Sequence, residues 1–317
     1  MVLVKIVLIL SLSFLLGKIT EMVVKLLDKL VKNFSMTGFQ ATALIIALVT
    51  SLPEISVSIS AALHGSTSLA LGNAIGSNIA NLSIVLGIAA IVGNGLHFIK
   101  ESDMKKNINY MVYGFLPFLF LIDLKISSFE GLLLILAYVW YVYDLFYKGK
   151  KKGPEDLNLK VDKKVHKKKR WWILVQMLLW VGLMIALAQL IVMLAKQLAI
   201  DAGLPMLFIG LFIVSVGTSL PELVFTIEVV KKRKIGMGFG NIVGSCVTNS
   251  TLVIGLLAVV TPVTISSAYV GLVAFSEYFF ITVLLITFIK SKHKLERHEA
   301  AILISLFMFY SAIELMM

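Results

Sequence analysis

The sequence predicts an all-α integral membrane protein, with ten transmembrane helices arranged as two inverted five-helix repeats. Three observations carry that prediction. The 317 residues are 59% hydrophobic and 15% charged, with a mean hydropathy of +0.95, far too apolar for a soluble domain of this size. Apolar stretches of about 20 residues, the length a helix needs to cross about 30 Å of hydrocarbon, recur along the whole chain. Two short motifs each occur twice, at one common spacing. The apolar runs are continuous rather than alternating, which favours helices over a membrane barrel.

The ten stretches are 2–22, 38–63, 68–93, 108–122, 127–147, 172–195, 205–230, 236–260, 266–290 and 300–317. The first has only Lys5 ahead of its apolar run and no clear small-residue cleavage site, so it reads as a retained helix rather than a signal peptide. The second holds Thr50-Ser-Leu-Pro-Glu54, and the third holds GNAIGSNIAN from Gly72 to Asn81. The fourth is the weakest, because Pro117 interrupts it. After the fifth, Lys148 to Arg170 carries eleven of the 29 Lys+Arg residues against Glu155, Asp156 and Asp162, together with Gly149, Gly153 and Pro154. This is a solvated basic linker, and it divides a first repeat, 1–147, from a second, 171–317. The seventh stretch repeats TSLPE at Thr218 to Glu222, and the eighth holds GNIVGSCVTN from Gly240 to Asn249. Cys246, the single cysteine, excludes an intrachain disulfide and a multi-cysteine metal site and reads as a packing thiol.

Charge sets the orientation. The net charge of +11 is concentrated in loops, which argues against nucleic acid as the partner and for a bilayer with these loops on the cytoplasmic side. With 148–170 inside, Lys25, Lys29, Lys32, Lys100, Lys105, Lys106, Lys231, Lys232, Arg233, Lys234, Lys290, Lys292, Lys294 and Arg297 also fall inside. Only Lys5, Lys125 and Lys196 fall outside, and Lys18 stays within the first helix. The expected topology is a multi-pass protein of the plasma membrane with both termini outside.

The two TSLPE copies lie 168 residues apart, and so do the two copies of the frame G-N-x-x-G-S-x-x-x-N. Each half holds five spans, an odd number. The second copy therefore enters the membrane upside down, as in many secondary transporters whose site lies where the halves meet.

Glu54 and Glu222 then stand at bilayer depth, where a carboxylate costs at least about 2.5–3.5 kcal/mol. No Lys or Arg lies within the second, third, seventh or eighth apolar core to pair with either, so mobile cations are the expected partners. Pro53 and Pro221 release carbonyls near Thr50 and Thr218 from the helix ladder. Carbonyl oxygens beside carboxylates make a hard-cation site, and Ca²⁺ takes 6–8 oxygens at about 2.3–2.6 Å. Ser77 with Asn81, and Ser245 with Asn249, share helix faces and add neutral oxygens suited to Na⁺ or to completing a Ca²⁺ shell. Two ionised glutamates are balanced by one divalent ion, or by sodium ions spread over the neutral oxygens. Competition for shared ligands gives a physical basis for exchange. Gly72 with Gly76, and Gly240 with Gly244, have the spacing that lets helices approach closely. Glu277 in the ninth span has no repeat counterpart, and His64 reads as a loop residue. No HExxH, GxSxG or Walker A pattern occurs, so no enzyme and no cofactor is expected.

At these motifs the chain resembles the calcium/cation antiporter superfamily, most closely its prokaryotic sodium/calcium exchangers. Residues 49–54 with 72–81, and 217–222 with 240–249, are similar to that family's two alpha repeats. The resemblance implies a secondary active antiporter exchanging Na⁺ for Ca²⁺ by alternating access, with the first and sixth helices sliding over the rest. It maps the ion ligands onto Thr50, Ser51, Glu54, Ser77 and Asn81 and onto Thr218, Ser219, Glu222, Ser245 and Asn249. Backbone carbonyls at Ala47 and Ser215 would join the sodium sites. Several relatives carry Asp where this chain has Asn249, above all in the potassium-dependent branch, so K⁺-independent exchange is expected; the working unit is expected to be a monomer. An H⁺/Ca²⁺ exchanger is the alternative, and a cation channel a more distant one.

Overall fold

The structure, a computed structural model, describes residues 2–31, 50–98, 101–149, 167–265 and 268–316. Helix α1, Val2–Val31, is followed by α2, Leu52–Leu63. Helix α3, Thr67–Ala80, runs through a π-helical stretch, Asn81–Val85, into α4, Leu86–Val92. The fourth expected span is built in pieces: α5, Glu101–Tyr110, a 3₁₀ stretch, Met111–Phe115, then α6, Leu116–Phe120, and a last 3₁₀ turn, Leu121–Asp123. Pro117 starts α6 rather than interrupting a continuous helix. Helix α7 is Ser128–Gly149 and α8 is Lys167–Ala202. The basic segment is thus shorter as a connector than the sequence suggests, since 167–170 already belong to α8.

The second half repeats the plan. Helix α9, Met206–Phe208, passes through a π stretch, Ile209–Val214, into α10, Ser215–Thr218. Helix α11, Leu220–Lys231, departs at 41° from α10. Helix α12, Ile235–Val247, continues through a π stretch, Thr248–Val253, into α13, Ile254–Val260. Helices α14, Ala268–Lys292, and α15, Arg297–Met316, complete the chain. Among the described residues six helices are long and apolar enough to cross a membrane, and the bent pair across Thr218 and Leu220 makes a seventh.

Pro53 and Pro221 sit at helix starts rather than inside helices. Each lies within the first two positions of its helix, after a turn at Ser51 or Ser219. There a missing N–H leaves no hydrogen bond unmade. The chain breaks before each glutamate instead of kinking through it.

Burial grades the helices. The best spanning windows at 67–92 and 235–260 are 78% and 83% buried, against 28% in those of α1 and α8. So α3–α4 and α12–α13 form the centre, while α1 and α8 pack against each other at the periphery, tied at one end by Lys5 Nζ and Asp201 Oδ2 at 2.7 Å. Glycine permits the tightest crossing. A Cβ on Gly76 would fall 2.6 Å from Leu211 Cα, and one on Gly72 would fall 3.2 Å from Gly210 Cα. The first GxxxG therefore brings α3 onto the π stretch 209–214 backbone to backbone.

Two short antiparallel pairs tie the halves together. Strand β1, Leu96–His97, pairs with β4, Lys294–Leu295, and β2, Lys125–Ile126, pairs with β3, Val263–Thr264. Each pair joins connections that the charge pattern assigns to one face of the membrane. His64 Nδ1 lies 2.8 Å from Ser60 O, and Lys196 Nζ donates to the His64 carbonyl at 2.6 Å. These two groups were both expected outside. Cys246 is buried, as a packing thiol should be.

Candidate metal centre

Four segments converge at the centre: the turn into α2, the middle of α3, the turn into α11 and the middle of α12. Thr50, Ser51, Glu54, Ser77, Asn81, Ser215, Thr218, Ser219, Glu222, Ser245 and Asn249 are all buried. Ala47 lies outside the described residues. The arrangement is a matched pair. Ser77 Oγ donates to Glu54 Oε1 at 3.4 Å, and Ser245 Oγ donates to Glu222 Oε1 at 3.4 Å. Each serine also meets the threonine of the opposite half: Ser77 Oγ lies 3.3 Å from Thr218 Oγ1, and Ser245 Oγ lies 3.2 Å from Thr50 Oγ1. The two threonines thus cross between the repeats, and each half completes the other's polar cluster.

The same matching holds for atoms that lack a partner. Among the described residues no hydrogen bond reaches Oε2 of Glu54 or Glu222, the hydroxyls of Ser51 and Ser219, or the side-chain amides of Asn81 and Asn249. No ion pair to either glutamate is found among those residues. Buried polar atoms are nearly always satisfied, and an orphaned one carries a penalty of about 1–3 kcal/mol, more if charged. The orphans named here come in symmetric pairs and include an oxygen of each carboxylate, although Asn241 Nδ2 is unpartnered where Asn73 Nδ2 reaches Ser58 Oγ. Their oxygens are hard donors of the kind Na⁺ and Ca²⁺ accept, and nothing in the set is a soft ligand.

Ser215 behaves differently from the rest. Its hydroxyl bonds back to the Leu211 carbonyl. Its own carbonyl receives the Ser219 N–H at 3.0 Å and lies 3.2 Å from the Thr218 hydroxyl. A sodium ion would reach that oxygen only by replacing one of these donors.

Sequence reasoning passed over two asparagines. Asn73 Oδ1 lies 3.1 Å from Thr218 Oγ1, and Asn241 Oδ1 lies 3.4 Å from Thr50 Oγ1. Both were visible as the second letter of the repeated G-N frame, one turn before each serine, but carried no assigned role. A second omission is asymmetric. Asn78 Nδ2 donates to Ser250 Oγ at 2.6 Å, where the counterpart positions hold Cys246 and Leu82. The π-helical stretches were also unforeseen. They begin at Asn81 in one half and at Thr248, beside Asn249, in the other, and such bulges concentrate at functional sites. Glu277 lies fully buried in α14, on another helix from the cluster.

Comparison with known proteins agrees with this architecture. The family described as sodium/calcium exchanger protein matches residues 4–147 and 172–316, leaving out most of the basic segment. A protein of Alkalimonas amylolytica named putative antiporter CaxA is 31% identical over 247 residues, covering 77% of each chain. The sodium/calcium exchanger MaX1 of Methanosarcina acetivorans is 26% identical over 96% of both chains. Among solved structures, the sodium-calcium exchanger NCX_Mj aligns over 98% of this chain and 99% of its own, with a TM-score of 0.63 at 24% identity. The H⁺/Ca²⁺ exchanger CAX aligns over 97% and 86%, with a TM-score of 0.69 at 17% identity, so each shares the fold. With its paired acidic motifs, its crossed halves and these relatives, the chain belongs to the sodium/calcium exchanger protein family of membrane antiporters.

Proposed function

We propose that this protein is a secondary active antiporter that exchanges Na⁺ for Ca²⁺ across the plasma membrane, independently of K⁺. The observation that carries the reading is the symmetric set of buried, unpartnered oxygens around Glu54 and Glu222. Two carboxylates carry a charge of −2 into a region of low dielectric, where their isolation is prohibitive. One Ca²⁺ cancels that charge between the two Oε2 atoms, with Ser77, Ser245, Thr50 and Thr218 close by. Na⁺ ions do the same when spread over Ser51, Ser219, Asn81, Asn249 and the carbonyls at Ala47 and Ser215. Both ions draw on the same glutamates, so binding one displaces the other, and the uncompensated site does not cross. Strict exchange follows from that charge balance.

The crossed threonines connect binding to movement. Each half supplies part of the other's cluster, so a change in occupancy alters contacts on both sides at once. The peripheral pair α1 and α8 is placed to move over this centre and expose it to either face in turn. We take the working unit to be the monomer, with ten spans, both termini outside, and repeats 1–147 and 171–317 joined by the basic linker. The two strand pairs, each closing connections of opposite halves, support that topology. Transport, rather than catalysis, is the activity, and the ions are substrates rather than cofactors.

Sealed vesicles test the coupling ion. An outward Na⁺ gradient drives radioactive calcium uptake, while a pH gradient alone, or added K⁺, does not. Uptake driven by the pH gradient alone would make the protein an H⁺/Ca²⁺ exchanger, and uptake with no counter-ion would make it a channel.

A further inference from the structure

Asn73 and Asn241 lie outside the ligand set, yet both are buried and both face a threonine of the opposite half. We propose that they are positioning residues that fix the hydroxyl hydrogens of Thr218 and Thr50, so that the oxygens around the centre present lone pairs to a cation. This inference rests on the cation-site reading above.

The argument is one of hydrogen counting. A threonine hydroxyl has one hydrogen and two lone pairs, while an amide oxygen only accepts. Thr218 Oγ1 has Asn73 Oδ1 at 3.1 Å, the Ser215 carbonyl at 3.2 Å and Ser77 Oγ at 3.3 Å as neighbours, and the Glu54 carboxylate also lies within its reach. Its single hydrogen serves one of them. When Asn73 takes it, the Ser215 carbonyl is released and the Thr218 lone pairs turn toward Ser77 and the centre. The Ser77 hydrogen is then free to choose between Thr218 and Glu54 Oε1. The second half repeats the chain, from Asn241 through Thr50 and Ser245 to Glu222.

The placement supports the role. Asn73 and Ser77 are four residues apart on α3, as are Asn241 and Ser245 on α12, so each asparagine lies one turn from the serine on the same helix face. A nonpolar residue of equal volume would pack as well. What it would lose on the side of the centre is the acceptor; at Asn73 it would also lose the Nδ2 contact to Ser58 Oγ at 3.5 Å. Because each pair crosses between halves, the effect is specific: Asn73 acts through Thr218 and Asn241 through Thr50, not the reverse.

A double-mutant cycle read by calcium titration calorimetry on the purified full chain tests this. Asn73→Leu and Thr218→Val are each expected to weaken Ca²⁺ binding about five- to tenfold. The double variant should bind no more weakly than Thr218→Val alone, and Asn73→Asp, which keeps the acceptor, should not show the loss. Asn73→Leu combined with Thr50→Val should instead multiply the two losses. The mirror result is expected for Asn241 with Thr50. If Asn73→Leu does not fold, Asn73→Ser takes its place, its oxygen being too short to reach Thr218. Independent losses in the Asn73–Thr218 pair, or coupling to the wrong threonine, would overturn the proposal. Glu54→Gln is the control: unchanged Ca²⁺ binding there would overturn the cation site itself, and lost binding leaves the cycle to decide the asparagines.

Discussion

The turn after α2 and the turn after α11 share a backbone and differ in chemistry. Gly65 has φ +69° and Arg233 has φ +58°. They are counterparts, 168 residues apart, and their hydrogen bonds agree. Gly65 N donates to Ala62 O at 2.9 Å and Arg233 N to Val230 O at 2.8 Å. Ser66 N then reaches Ala61 O at 2.8 Å, and Lys234 N reaches Val229 O at 2.9 Å. Glycine suits a left-handed position, whereas arginine is held there against a strain of about 1 kcal/mol. In the inverted topology proposed above, the first turn faces outside and the second faces the cytoplasm. The fold dictates the dihedral angle in both halves, and on that proposal the side of the membrane selects the residue. Where the halves meet, the rule reverses: Glu, Ser, Asn and Thr are identical in the two halves, as the proposed ion site, which draws on both copies together, requires.

The sharpest way to break that equivalence is to neutralise one glutamate at a time. Glu54→Gln and Glu222→Gln should each lower sodium-driven calcium uptake in vesicles by about a hundredfold or more, the scale expected when one partner of a buried charge contact is removed. The symmetric geometry demands that the two losses be alike. Near-normal uptake in one variant would show that the halves match in shape but not in work.

The halves also show what the sequence could disclose. The polar centre was legible because Glu54, Glu222 and their serines and asparagines are improbable letters in apolar runs; the structure links Glu54, Ser77 and Thr218, and Glu222, Ser245 and Thr50, by direct contacts and buries Asn81 and Asn249. Several spans were legible from hydropathy, but the first and sixth helices run past their expected limits, to Val31 and from Lys167 to Ala202, part of the second lies outside the described residues, and in the fourth Glu101–Tyr110 is too polar to register as membrane helix. Other features depend on partners far away in the chain. The 3.1 Å approach of Asn73 to Thr218 crosses 145 residues and leaves no local pattern. The π stretches at 81–85, 209–214 and 248–253 arise from tertiary fit and have no propensity signature. The capping of α7 by Ser127 and Glu130 was readable in principle: Ser127 N donates to Glu130 Oε2 at 2.7 Å, a reciprocal box.

A smaller effect should follow from exchanging the residues of the two turns. Arg233→Gly relieves the left-handed strain and should stabilise the protein by about 0.5–1 kcal/mol, while Gly65→Ala should destabilise it by about 1 kcal/mol. Thermal unfolding in detergent measures both. If Arg233→Gly melts lower than the parent, the arginine side chain is contributing to the turn through contacts, and the two turns are less alike than their backbones.

The smallest effect concerns the counterpart of the Ser127 cap in the second half. There Glu296 precedes α15, and its N–H donates to Glu299 Oε2 at 2.8 Å, repeating the first half with a charged residue where the other has serine. Glu296 contacts Lys294 and lies 3.0 Å from Lys292 Nζ, and these lysines hold its carboxyl down at about 2. A depressed folded value stabilises the native state above the unfolded carboxyl value, about 4.3, and that contribution fades as pH falls through about 2. The pair is solvent-exposed, so the effect is slight and screened by salt. Glu296→Gln should therefore melt marginally below the parent at pH 7 in low salt, and the gap should close between about pH 4 and pH 2. A gap that persists unchanged to pH 2 would place the role of Glu296 in its shape at the helix start, not in its charge, and the two caps would then be equivalent despite their different residues.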